Sequence, residues 1–209
     1  MKLLFVDTET TGVVKKRKPH ASDMIEAGVR LVQVGYMFWD TSDGGLKYGR
    51  EYIIKPNGFT IPEEVSKLHG ITQEIAEAQG HDLEKILRQL LIEIHVADFV
   101  IGHNAFFDTA VLGGEFIRVM ESNPFLGKAI FDTMLASVTL CKIPGPFGWK
   151  WPKLQELYRH LFNEEYPQTH TALDDIEHTA KCFFEMVRIG YIKLEEDDGN
   201  EKSGTQQES

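Results

Sequence analysis

Lys2-Leu3-Leu4-Phe5-Val6-Asp7-Thr8-Glu9-Thr10-Thr11-Gly12 is the stretch on which the fold turns. Leu3–Glu9 opens as an uninterrupted apolar run and reads as a buried, central strand ending in a Thr-Gly turn. Residues two apart on a strand share a face, so Asp7 and Glu9 project together. Two bare carboxylates in that position suffer desolvation and mutual repulsion, and a cation removes the penalty. The plain alternative is a pair of ordinary strand-end acids. Because the acids follow so closely on a short apolar stretch with one lysine, this is not a signal peptide.

Outward from that strand, Leu31–Asp40 and Leu46–Pro56 read as two more strands, joined by Asp43-Gly44-Gly45 as a hairpin turn. The polar segment Val13–Arg30, with Lys15-Lys16-Arg17-Lys18-Pro19, is expected to be an excursion loop. Leu83, Ile86, Leu87, Leu90, Leu91 and Ile94 keep helical spacing behind Asp82, an N-cap. Phe99–Gly102 and Ala129–Thr133 are short strands, with a helix through Leu112, Phe116, Val119 and Met120 between them. Pro152 suits the start of a helix carrying Leu154, Leu157, Tyr158, Leu161 and Phe162, and a last helix carries Ile176 to Val187. The order β-β-β-α-β-α-β-α-α implies one α/β domain, a mixed sheet covered by helices.

The bulk numbers agree. The chain has 209 residues, 42% hydrophobic and 26% charged, which suits one soluble globular domain over residues 1–192. No apolar run approaches the roughly 20 residues of a membrane span. Two cysteines, Cys141 and Cys182, are too few for a disulfide framework and point to a reducing, cytoplasmic setting. Residues 193–209 form an acidic tail without aromatics, expected to be disordered. The net charge of −10 argues at first against a polyanionic partner. The tail accounts for −4 of it, however, and four acids of the remainder are candidate metal ligands whose charge two divalent cations would cancel.

Two further constellations recur at strand ends and helix starts, where α/β sites gather. Gly102-His103-Asn104-Ala105-Phe106-Phe107-Asp108 follows the strand Phe99–Gly102. His170-Thr171-Ala172-Leu173-Asp174-Asp175 opens the last helix, with His170 on the preceding loop. Each has a bland reading, as polar loop residues or helix-capping acids. Together they supply hard oxygen donors suited to Mg²⁺ or Mn²⁺, and a base that titrates near neutrality.

D-x-E-T-T-G, H-N-x-x-F-D and H-x-A-x-x-D, in this order between Met1 and about Ile189, resemble the three motifs of the DEDDh 3′→5′ exonucleases. That family includes the proofreading subunit of the bacterial replicative polymerase, RNase T and oligoribonuclease. The resemblance implies a ribonuclease H-like fold and release of nucleoside monophosphates from a 3′ end, with two metal ions. It implies that Asp7, Glu9 and Asp175 hold the first metal, that Asp7 bridges to the second, that Asp108 supports the second and that His170 is the general base. Thr10, Leu68, His69, Asn104 and Phe107 are implied around the terminal nucleotide, Phe107 with an equal reading as a core aromatic.

DNA is favoured over RNA as substrate, although nothing in the motifs separates the two sugars. The alternatives are an RNA-trimming enzyme or oligoribonuclease, and a non-catalytic module docked on a polymerase. Such modules usually lose a ligand, and none is missing here. Polymerase association stays open as a partner relation, with a free-standing enzyme favoured because the tail carries no apolar anchor. Two segments depart from the motifs. Lys15–Lys18 leave motif one directly and read either as phosphate contacts or as a solvated loop. Trp149-Lys150-Trp151-Pro152-Lys153 reads either as a base-stacking surface or as helix-entry packing.

Overall fold

The computed structural model describes residues 1–42, 45–166 and 171–194. In chain order the elements are β1 (Lys2–Thr10), α1 (Ala21–Glu26), β2 (Leu31–Asp40), β3 (Gly45–Ile53), α2 (Glu63–His69), α3 (Gln73–Gln79), α4 (Leu83–Val96) and β4 (Phe99–Gly102). Then follow α5 (Ala105–Met120), β5 (Ala129–Asp132), α6 (Thr133–Ala136), α7 (Val138–Cys141), the two-residue strands β6 (Pro144–Gly145) and β7 (Gly148–Trp149), α8 (Leu154–Phe162) and α9 (Ala172–Arg188). Among the described residues no helix is long and apolar enough to cross a membrane.

Five strands form one sheet in the order β3-β2-β1-β4-β5. β1 pairs antiparallel with β2 and parallel with β4, so it is the central strand at which the sheet changes direction. The expected mixed sheet flanked by helices is therefore present. Alternation along β1 sorts its side chains between two layers. Leu4 and Val6 face one layer with Val34 and Tyr36, under Ile86 and Leu90 of α4 and Val111 and Phe116 of α5. Leu3 and Phe5 face the other with Met37, under Ile176, Ala180 and Phe183 of α9. α8 packs outside α9 through Leu154 and Leu157 against Cys182 and Met186.

The last helix meets the sheet at a glycine. Gly35 of β2 stands opposite Asp7 of β1 and Glu51 of β3. A Cβ built on Gly35 would lie 2.8 Å from Ile176 Cδ1, 2.9 Å from Ala172 Cβ and 3.0 Å from the Ala172 carbonyl carbon. The start of α9 thus rests on β2 backbone, close enough for its acids to reach β1. Side chains from the sheet and the cap then take the first N–H groups of α9. Gln33 Oε1 accepts from Ala172 N at 3.4 Å, Glu51 Oε1 from Leu173 N at 2.8 Å and Thr171 Oγ1 from Asp174 N at 3.3 Å.

Two expectations need correction. Val13–Arg30 is not loop throughout, because α1 occupies Ala21–Glu26 and buries Ala21 and Met24. Six residues are too few to show a helical period, and Asp23, which accepts from His20 N at 2.9 Å, was the local signal. The element order also lacked α2, α3, α6, α7 and the β6–β7 hairpin, all short. Asp82 does cap α4, accepting from Lys85 N at 2.9 Å. The helix after Pro152 begins at Leu154, with Lys153 as its N-cap. Asp43 and Gly44 of the expected turn lie outside the described residues, as does the tail from Glu195. Ile192 and Leu194 pack, partly buried, against the α9 layer.

Gly35→Ala is expected to cost about 1–3 kcal/mol through overpacking against α9. A fall in the urea midpoint with an unchanged m-value checks it.

Candidate active site

Each helical layer sends one acid to the end of β1, which itself carries two. Asp7 and Glu9 come from the strand itself, on the face that α9 covers. Asp175 comes from the first turn of α9. One carboxylate oxygen from each of Asp7, Glu9 and Asp175 lies within 4.8 Å of the other two. Asp108 approaches from α5 in the opposite layer. It is buried, and its Oδ1 accepts from the Thr8 hydroxyl at 2.7 Å. It stands outside the three-residue cluster but close enough to Asp7 to act on its charge.

The electrostatics follow from this crowding. Burial, then the charges of Asp108, Asp175, Glu9 and Glu51, hold the Asp7 carboxyl well above the usual range. Burial with Asp175 and Glu51 raises Glu9 from 4.5 to about 7. Burial raises Asp108 to about 8, with Asp132 adding to it and the Thr8 hydrogen bond opposing. Hard oxygen donors crowded and desolvated in this way fit a divalent cation by their chemistry.

The other expected residues are less concentrated. Thr10 is buried at the same strand end, its hydroxyl donating to Gly12 O at 2.6 Å. His69 is buried beside the Thr10 carbonyl, its Nδ1 accepting from Ile71 N at 3.1 Å, and burial lowers its pKa. Leu68 is exposed. Asn104 adopts a left-handed backbone (φ 76°) ahead of α5, and its N–H donates to Asp132 Oδ1. Phe107 packs, partly buried, against the core on the α5 side. His170 lies outside the described residues.

His103 of motif two is tied up internally. Its Nε2 donates to Pro152 O at 2.9 Å, and its Nδ1 lies 3.0 Å from Thr133 Oγ1. Burial lowers its pKa to about 4, so the ring is neutral, with Nδ1 as acceptor. Its Nε2–H bond makes it a pin between motif two and the loop before α8.

Residues the motifs did not point to also belong here. Glu51 and Gln33 anchor α9, and Glu51 adds its charge to Asp7 and Glu9. Gln33 was visible as a lone amide in an apolar strand, whereas Glu51 lies in a strand rich in polar residues and gave no signal. Asp132 caps α6 by accepting from Met134 N and Leu135 N, and sits beside Asp108. A cleft of 510 Å³ contains Asp7 and Asp175, walled by His103, Trp151, Pro152 and Lys153. A larger one of 650 Å³ between Arg30, Lys55, Phe59 and Arg118 holds none of these acids. Its two arginines are already paired with buried Glu115.

A mixed sheet flanked by helices, with carboxylates gathered at the end of its central strand, is of the ribonuclease H-like class. The chain belongs to the exonuclease family: the RNase T family model matches residues 4–183. The resemblance to 3′→5′ exonucleases and the reading as an enzyme of that kind are borne out. Among solved structures, a zinc-bound form of E. coli exonuclease I with single-stranded DNA aligns with TM-score 0.69 and 19% identity, covering 90% of this chain and 40% of the other. E. coli exonuclease I with a dA16 oligonucleotide aligns with TM-score 0.67 and 19% identity, covering 90% and 41%. This chain therefore spans about two fifths of the length of these neighbours, and the likeness is one of fold. A search of curated protein sequences gives no match.

The raised carboxyls set a sign for pH dependence. Glu9 keeps its proton in the folded state up to about 7 but loses it near 4.5 when unfolded. In divalent-free buffer, stability should therefore fall as pH rises from about 4.5 to 7, and Asp108, raised to about 8, extends the fall to about that pH. Urea midpoints at pH 5, 6, 7 and 8 should show this fall, Glu9→Gln should reduce it, and saturating Mg²⁺ should abolish it.

Proposed function

We propose that this protein removes nucleoside 5′-monophosphates from the 3′ ends of single-stranded or frayed DNA. The observation that carries the reading is the convergence of Asp7, Glu9 and Asp175 within 4.8 Å, in a cleft, on a chain of the exonuclease family. Asp7, Glu9 and Asp175 would hold one divalent cation, with Asp7 and Asp108 supporting a second, either Mg²⁺ or Mn²⁺. Such ions, when bound, lower the pKa of water and stabilise the charge of an in-line displacement at phosphorus.

The protein's own groups do the rest. His170, two residues ahead of α9 in the sequence, takes the proton of the attacking water. The water oxygen bonds to phosphorus as the P–O3′ bond breaks, the nucleoside 5′-monophosphate leaves, and O3′ takes a proton from solvent to give the shortened strand its 3′-hydroxyl. Thr10, Leu68, His69, Asn104 and Phe107 are assigned to the terminal nucleotide. The proximity of His69 to the Thr10 carbonyl supports this for the Leu68-His69 segment. Single-stranded DNA is favoured because the structural neighbours include exonuclease I complexed with dA16 and dT13 oligonucleotides.

The deciding measurement is digestion of 5′-labelled DNA and RNA strands side by side, with Mg²⁺ or Mn²⁺. DNA should shorten stepwise from its 3′ end, and faster than RNA. His170→Ala should slow the reaction by about 100- to 10,000-fold, the usual contribution of a general base. Asp7→Ala should abolish it, as should removal of the metal with EDTA. Wild-type rates in both variants would refute the assignment.

A further inference from the structure

The loop after motif one and the hairpin before α8 are far apart in sequence, and they meet at the rim of the carboxylate cleft. Lys15, Arg17 and Lys18 are exposed. The Arg17 guanidinium lies over the Trp151 ring, 5.4 Å from its centroid, and the Lys18 ammonium lies 4.4 Å from the centroid of Phe106. Trp151 walls the cleft that holds Asp7 and Asp175, and Phe106 is in the first turn of α5, two residues before Asp108. The basic loop therefore reaches from the cleft wall at Trp151 to the first turn of α5.

Beyond Trp151 the β6–β7 hairpin carries Phe147 at its tip, fully exposed, and Trp149, half exposed. The hairpin is held at its base, where Lys150 N donates to Ile143 O at 2.9 Å and His103 pins Pro152 O. Large rings presented in water on a fixed support mark a contact surface.

We infer that Arg17, Lys18, Trp151, Trp149 and Phe147 form a grip for the single strand behind the terminal nucleotide. Backbone phosphates meet the cations and bases stack on the rings. Charge argues for this occupant. In a chain of net charge −10, a polyanion needs a local cluster of cations, and among the described residues neither Arg17 nor Lys18 is in an ion pair. With the Arg17 guanidinium held over the Trp151 ring and in no ion pair among the described residues, its N–H groups remain for a phosphate. Ring faces accept any unpaired base, whereas a duplex hides its base faces, so the grip selects single strands without reading sequence. The inference rests on the proposed function only for the direction in which the strand enters.

The test is fluorescence anisotropy of a dye-labelled 12-nucleotide DNA strand titrated with the full-length protein, with Ca²⁺ in place of Mg²⁺. Both Phe147 and Arg17 are exposed, so their replacement spares the core. Phe147→Ala should weaken binding by at least about fivefold, the lower end for one lost base stack. Arg17→Gln with Lys18→Gln should reduce the slope of log affinity against log salt by about 1.4, two phosphate contacts on a single strand. Arg88→Gln, an exposed cation of α4, should change neither. Affinities and slopes equal to wild type, or wild-type protein that does not bind, would overturn the grip. Wild-type shortening of the strand in Mg²⁺ is scored separately. A strand that is bound but never shortened overturns the proposed function and leaves the grip standing.

Discussion

The seat of α9 on Gly35 is the contact on which the site depends. Every other position in the row across β1, β2 and β3 carries a side chain, with Asp7 on one side of Gly35 and Glu51 on the other. The missing Cβ lets Ala172 and Ile176 settle onto the strand, so Asp175 arrives beside Asp7 and Glu9. The polar groups of the sheet then fix the helix end, since Gln33 and Glu51 accept N–H groups that would otherwise be orphaned. Apolar packing sets the height of α9 above the sheet, and hydrogen bonds set its position along it.

The same approach creates an electrostatic load. The acids are crowded into a partly desolvated strand end, and Glu51, which anchors α9, adds its own negative charge. The fold sustains this crowding. It does so from the opposite layer, where Leu4, Val6, Tyr36, Leu90 and Phe116 are buried in one continuous core. Thr8 gives Asp108 a hydrogen bond there as well. Stability is thus supplied by the α4–α5 side of β1 and spent mainly on the α9 side, a common division at functional sites.

Much of this was legible in the chain. Strongly apolar runs gave β1, β2 and β4 nearly to the residue, because burial on both faces leaves little room for polar side chains. Asp7 and Glu9 were placed on one face by strand periodicity alone. The short elements escaped for the opposite reason. α1, α2 and α3 have six or seven residues, too few for a hydrophobic period, and each buries only one or two of them, such as Met24 and Ala76. The β6–β7 hairpin has only two residues per strand. His103 could be read locally only as a loop histidine, because its partners Thr133 and Pro152 lie 30 and 49 residues away.

By itself, then, the sequence determined the central strand, the layering and the acids that could share a site, since these follow from periodicity and motif order. Only the tertiary structure decided which acids actually converge, that Asp108 stands apart against Thr8, that Glu51 and Gln33 hold α9, and that Arg17 reaches Trp151. These are relations between segments separated by many residues. Their distances are set by how closely two backbones can approach, and at Gly35 that depends on a side chain the sequence leaves out.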